Sequence, residues 1–342
     1  AQAKLGVIPL SAAATVWEKG AFEVDRINKI EKFSNGQSNP TYLLSTDSAR
    51  YVLRSKPAGD LLKSAHAVER EYKVMKALEG TDVPVPRMLC LCENEAVAGS
   101  IFFVMSYEEG RIFWDPALPQ LSTFERSTLY TQKIQTLAAL HSVDPGSVGL
   151  QGFGPMGNYF ERQFNRWTTQ YRASETQKIN EMETLIHWLA RHMPADDGQS
   201  AIIHGDFRLD NLIISANKPD IEAIIDWELS TLGHPLADLA YFCMCLRMPS
   251  GEQISGLQNI QRSTLGIPSE DEMLNSYCKL RQIGPIENWS FYLAFSFFRL
   301  AAICQGVLKR AMDGNASSTK ALQVGALAPK LAHQGMRVIQ AI

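Results

Sequence analysis

The chain has 342 residues, 45% hydrophobic and 20% charged, an ordinary globular balance with enough length for two lobes. Its 33 basic and 36 acidic residues leave a net charge of -3 with no Lys/Arg-rich run, which gives no reason to expect a nucleic-acid partner. The six cysteines form no C-x-x-C pair and read as small buried hydrophobes in a reducing compartment. With no signal-peptide pattern, the expectation is a soluble, cytoplasmic protein without a membrane partner.

Taken in chain order, short runs at 26–33, 41–46 and 49–55 predict strands, with Asp47-Ser48 as a tight hairpin connection. Leu62, Val68, Tyr72, Met75 and Leu78 mark a helix over 61–78, and Pro84 and Pro86 stop its continuation. Runs at 87–93 and 100–106 predict a further pair of strands. From about Thr123 the pattern turns helical: Leu129, Ile134, Leu137 and His141 share one face, and more helices are expected over 163–171 and 177–192. Three short Ile-rich runs, 201–203, 212–215 and 221–225, predict strands around a loop. The remainder is mainly helical. Its longest apolar stretch, 291–304, is interrupted by Ser296 and Arg299 and reads as a buried helix. The chain therefore divides into a sheet-rich lobe over 1–107 and a helical lobe over 108–342.

The chemistry concentrates between the Ile-rich runs. Ile203-His204-Gly205-Asp206-Phe207-Arg208-Leu209-Asp210-Asn211-Leu212 is a polar loop with a strand on each side. Fifteen positions after Asn211, Ile224-Ile225-Asp226-Trp227-Glu228 ends a third strand in an acid. Phosphoryl transfer needs a group to orient the attacking hydroxyl, hard oxygen ligands for magnesium, and positive charge for the phosphates. Asp206 suits the first role, and Asn211 and Asp226 suit the metal. Arg208, inside the loop, is a candidate contact for the transferred phosphate. Glu228 reads equally as a second metal ligand or a solvated strand-end acid. The spacing Asp-x-x-x-x-Asn is that of the kinase catalytic loop.

H-G-D-x-x-x-x-N followed by I-D-W-E resembles the signature of the aminoglycoside phosphotransferase and choline kinase superfamily. Phe33-Ser34-Asn35-Gly36-Gln37-Ser38-Asn39, Tyr51-Val52-Leu53-Arg54, Arg70-Glu71-Tyr72, Val83-Pro84-Val85-Pro86 and 233–240 (GHPLADLA) extend the likeness to nearly the whole chain. They make it similar to one branch, the phosphotransferase domain that also occurs fused to acyl-CoA dehydrogenases. The resemblance implies an α+β, two-lobed protein-kinase-like fold. The small lobe would be an antiparallel sheet plus one helix that binds nucleotide, and the large lobe would be mainly helical and carry the catalytic loop and acceptor site.

It also implies an ATP- and Mg2+-dependent kinase for a hydroxyl of a small molecule. The turn around Gly36 alone reads equally as a phosphate loop or a plain hairpin; the resemblance makes it the nucleotide loop, with Ser34, Gly36, Ser38 and Asn39 near phosphate. Arg54 stands where kinases carry Lys; its expected partner is Glu71, with Glu69 as second choice, and Lys56 could compete for the role. Met105, Ser106 and Tyr107 fall at the hinge, where backbone groups would meet adenine. His204 is expected to support the loop, Asp238 to anchor it from a following helix, and His141 to be core. The branch suggests a hydroxy acid or its CoA thioester as acceptor. The alternatives are an aminoglycoside or amino-alcohol kinase, for which Glu108 and Glu109 could supply acidity, and a non-catalytic nucleotide-binding protein. Arg54 in place of Lys favours the last reading, and the intact Asp206, Asn211 and Asp226 oppose it.

Overall fold

The computed structural model describes residues 27–33, 39–57, 67–251, 254–313 and 319–341. By contacts the chain resolves into two units. One takes residues 1–111, 148–150 and 211–230, and the other takes 112–147, 151–210 and 231–342. The division is therefore not a single cut near residue 107: the segment after Asp210 returns to the first unit, and the chain leaves it again after Ser230.

The first unit is built on an antiparallel sheet in the order β1-β2-β3-β5-β4. Its strands are β1 (Lys29–Lys32), β2 (Thr41–Ser45), β3 (Arg50–Ser55), β4 (Met88–Cys92) and β5 (Phe102–Ser106). The β2–β3 connection falls at the expected Asp47-Ser48. Thr46 closes it: its N–H donates to the Ala49 carbonyl (2.9 Å), and its hydroxyl accepts from the Ala49 N–H (3.0 Å). Leu44, Leu53, Phe102 and Val104 pack with Tyr42 as one apolar cluster. β3 is central, so its residues Val52 through Ser55 are buried on both faces. Arg54 is thereby carried into the interior, on the face opposite Leu53.

Helix α1 (Val68–Leu78) packs against β4 and β5. It buries Val68, Glu71, Val74, Met75 and Leu78, a helical stripe with one carboxylate in it. The earlier part of the expected helix, 61–66, lies outside the described residues. A short helix α2 (Glu95–Ala98) links β4 to β5.

The Ile-rich runs form β6 (Ala201–Ile203), β7 (Leu212–Ile214) and β8 (Ile221–Ile224). β7 pairs with β8 in the first unit, while β6 pairs in the second unit with β9 (Thr231–Gly233). β9 has three residues, too few to show any periodicity in the sequence.

The second unit is otherwise helical: α3 (Thr123–Ser142), α4 (Tyr159–Ser174), α5 (Asn180–His192), α6 (Pro235–Leu246), α7 (Arg262–Leu265), α8 (Glu270–Arg281), α9 (Trp289–Met312), α10 (Thr319–Gly325) and α11 (Ala328–Gln340). Ser122 and Glu125 form a reciprocal capping box at the start of α3. α9 packs against α4, α5, α6, α10 and α11. By length and composition it could cross a membrane, but 72% of its apolar window is buried, as in the core helix of a globular protein. Phe160 of α4 meets Phe291, Tyr292 and Phe295 of α9 at centroid distances of 5.0–5.6 Å, so these aromatics are core.

Leu53 is 1% exposed at the centre of the sheet cluster, and Leu53→Ala should lower unfolding free energy by about 2–5 kcal/mol in urea denaturation. Ser122→Ala, which removes only a cap, should lower it by about 1 kcal/mol in the same assay.

Candidate active site

β6 delivers the chain into the polar loop, and Asp238 of α6 holds the loop's backbone. Asp238 accepts from the His204 N–H (2.6 Å) and the Gly205 N–H (2.8 Å), while the His141 ring lies 3.3 Å from its Oδ2. His141 also bonds the Tyr277 hydroxyl at 2.7 Å and is fully enclosed, a structural histidine. Burial opposes ionisation of Asp238, but the bond and charge of His141 and the loop N–H groups carry its carboxyl below the usual range. Gly205 has φ 87°, a left-handed conformation that suits glycine and turns the chain toward Asp206. His204 accepts the Asp206 N–H at 3.2 Å, and Arg299 of α9 donates to the Gly205 carbonyl at 3.1 Å.

This fixed backbone presents Asp206. Its Oδ1 accepts from the Tyr241 hydroxyl at 2.5 Å and lies 3.1 Å from the Arg208 Nε. Burial and the Asp206 charge push the Tyr241 phenol well above its ordinary value, so it remains a donor. Arg208 also donates to Asp210 at 2.8 Å. The carboxylate is thus held in one orientation by a phenol and a guanidinium, an arrangement suited to accepting a hydrogen bond from a hydroxyl.

In the first unit, Arg54 is 3% exposed and surrounded by acids. Its Nε donates to Glu71 (3.1 Å), its Nη2 donates to Asp226 (2.7 Å), and Glu228 lies 3.9 Å away. Burial, with Asp226 and Glu228 adding to it, pushes the Glu71 carboxyl up to about 7 against the opposing charge of Arg54. Lys56 is engaged elsewhere, with Glu69 at 2.9 Å, so the structure gives Arg54 to Glu71 and leaves the two second choices to each other.

β7 and β8 bring Asn211 and Asp226 to the same end of their ladder: Leu212 faces Ile224, and the Ile225 N–H donates to the Asn211 carbonyl at 3.0 Å. Asp226 has φ 66°, a left-handed position that Asp tolerates better than most residues, and the buried Trp227 indole pins the turn by donating to the Ile224 carbonyl at 2.9 Å.

Ser34, Gly36 and Ser38 lie outside the described residues. Asn39 is completely buried and donates to Glu71 at 2.9 Å, so its side chain is spent on positioning that carboxylate and is not presented to phosphate. At the hinge, Met105 is a core residue of β5. The Ser106 N–H is committed to the Arg87 carbonyl at 2.9 Å, so it is not offered as a donor to adenine. The Tyr107 ring carries Arg50 at 4.3 Å from its centroid.

A family model described as the phosphotransferase enzyme family matches residues 29–270. The chain belongs to this family. It is 48% identical over 302 residues to mouse acyl-CoA dehydrogenase family member 10, covering 88% of this chain but 28% of that protein, so it spans under a third of that relative. A solved Ralstonia eutropha protein, provisionally designated an aminoglycoside phosphotransferase, superposes with TM-score 0.89 at 42% identity, over 98% of this chain and 99% of that one. Aminoglycoside phosphotransferase APH(4)-Ia, solved with ADP and hygromycin B, gives TM-score 0.60 at 14% identity over 91% and 94% of the two chains, a likeness of fold alone. The chain thus has the protein-kinase-like fold, and it falls in the branch whose domain also occurs within longer acyl-CoA dehydrogenase family proteins.

The residue of this site that sequence reasoning missed is Tyr241. It lies three positions after Asp238 on α6 and so shares that residue's face, a signal that was available once Asp238 was assigned to anchor the loop. Asp238→Asn should destabilise the protein by about 3 kcal/mol at neutral pH, because two loop N–H groups lose a charged acceptor and one faces an amide donor. The lowered carboxyl stabilises the fold above the ordinary value of 3.8 and loses that contribution as pH falls through its folded value. The gap from wild type in thermal denaturation should therefore narrow below about pH 4.

Proposed function

We propose that this chain is an ATP- and magnesium-dependent phosphotransferase acting on a hydroxyl of a small molecule. The observation that carries the reading is Asp206, oriented by Tyr241 and Arg208 on a backbone gripped by Asp238. Asp206 accepts or orients the proton of the attacking hydroxyl. A loose transition state does not require that proton to leave early, so an ordinary carboxylate suffices.

The donor set fits magnesium. Among the described residues no group of three or more His, Cys, Asp or Glu could hold a metal by itself. Magnesium commonly binds through one or two protein oxygens and completes its shell with water and phosphate. Asn211 and Asp226 would supply those oxygens, and the three carboxylates around the single charge of Arg54 leave negative charge for a cation to neutralise. Bound there, the metal would neutralise charge on the transferring phosphoryl group. Arg54 holds Asp226 and Glu71 in place, and the complex of APH(4)-Ia with ADP supports a nucleotide donor.

For the acceptor, a hydroxy acid or hydroxyacyl-CoA ester is favoured by the acyl-CoA dehydrogenase relatives. An aminoglycoside is less well served: Glu109 pairs with Arg50 and Glu108 contacts the Ser106 hydroxyl, so neither acid stands uncommitted.

ADP formation should be measured with magnesium-ATP against hydroxyacyl-CoA esters, free hydroxy acids, amino alcohols and aminoglycosides. At least one acceptor should be phosphorylated, and Asp206→Asn should lower the rate about a hundredfold or more. Absence of transfer to every class, or equal rates in wild type and Asp206→Asn, would overturn the proposal and leave a nucleotide-binding role.

A further inference from the structure

Lys133 lies on the buried face of α3, three residues after Tyr130, and is 1% exposed. No carboxylate lies within ion-pair reach of it among the described residues. Its neighbours are two aromatic faces, Tyr130 and Phe242, each with the ring centroid 4.5 Å from the ammonium nitrogen. A buried ammonium answered only by ring quadrupoles is costly to keep. Burial pushes it down to about 7, with the charge of Asp210 only partly opposing.

The side chain is not sealed into packed core. It lines a cavity of about 260 Å3 in the second unit, together with Trp114, Pro116, Arg208, Phe242 and Leu246. Two acids, Asp115 and Asp210, also reach this wall, but each has a partner: Asp210 accepts from Arg208 at 2.8 Å, and Asp115 accepts from the Ala117 N–H at 2.9 Å. Arg208 is compensated by Asp206 and Asp210. Among the described residues, Lys133 is the cation of the cavity that has no counter-ion.

We propose that this cavity binds a small amphiphilic monocarboxylate, its carboxylate on Lys133 and its hydrocarbon against Phe242, Leu246 and Trp114. A phosphate would need several donors around its oxygens, and the wall sets one uncompensated cation beside the apolar side chains of Trp114, Phe242 and Leu246. A monoanion with a hydrocarbon body matches both halves of the lining. The carboxylate could belong to the phosphate acceptor itself or to a separate ligand, since Arg208 is shared between this wall and the Asp206 loop. Binding as such does not depend on the phosphotransfer reading.

The carboxylate is held by protonated Lys133, so affinity should fall as pH rises past about 7, and binding near that pH should take up a proton. The other titratable groups facing Lys133 are unsuited to mimic this. The Tyr130 phenol on α3 and the Cys243 and Cys245 thiols on α6 are all raised by burial and stay neutral, Arg208 stays charged, and Asp115 and Asp210 are acids with partners in place.

The test is calorimetric titration of the whole chain with butyrate, hexanoate and octanoate, with hexanol, hexylamine and inorganic phosphate as controls, in buffers of different ionisation enthalpy. One or more carboxylates should bind, the controls should not, and the apparent enthalpy should track the buffer. Lys133→Met should weaken carboxylate binding about tenfold or more. Without ligand it should melt higher than wild type, most of all below about pH 7, where the folded protein must hold the buried charge. No carboxylate binding to wild type, binding without proton uptake, or undiminished binding to Lys133→Met would each overturn the proposal. Competition of the bound carboxylate with whichever compound accepts phosphate would assign the site to the acceptor, and simultaneous binding would assign it to a separate ligand.

Discussion

A guanidinium buried in a protein interior has to be met by negative charge, and Arg54 is met by Glu71, Asp226 and Glu228. The arrangement begins with topology. β3 sits inside its sheet, so Arg54 cannot reach solvent, and the apolar stripe of α1 carries Glu71 to the same interior. Asn39 then fixes Glu71 from the other side. Three acids around one base leave an excess of negative charge, which burial makes harder to tolerate and which a magnesium nucleotide would relieve. The register of β7 against β8 places Asn211 beside the same turn that holds Asp226.

The loop of the second unit follows the same logic with the signs exchanged. There a buried carboxylate, Asp238, is met by backbone N–H groups and by His141. Asp238 touches nothing that reacts in the proposed chemistry; it fixes the backbone from which Asp206 projects. Tyr241, one turn further along α6, grips the Asp206 carboxylate itself. One face of one helix therefore positions both the backbone and the side chain of the loop, and its stiffness comes from α6 packing against α9.

Much of this was legible in the sequence because polar residues ending apolar runs stand out. Asp206, Asn211 and Asp226 each stand just beyond an end of an Ile-rich strand, and Glu71 interrupts a helical stripe. What was hidden depends on partners far along the chain. Nothing in Asn39 says that its amide will meet Glu71, and nothing in Ser106 says that its N–H will be taken by Arg87. β9 is too short for periodicity, and it becomes a strand only because β6 lies alongside. Tyr241 and Lys133 sit within helices whose other buried residues are mostly apolar, where a ring or a long aliphatic stem passes for core; only their distances to Asp206 and to two aromatic faces separate them from it.

The dehydrogenase names of the longer relatives describe proteins of which this chain matches a minor part, whereas the residues gathered around Arg54 and Asp206 suit phosphoryl transfer. The most direct test of that account is calorimetric titration with ATP, with and without magnesium, of the wild type and of Asp226→Asn. Magnesium should strengthen ATP binding to the wild type about tenfold or more, and the substitution should remove that gain. ATP binding to the wild type that is indifferent to magnesium would contradict it.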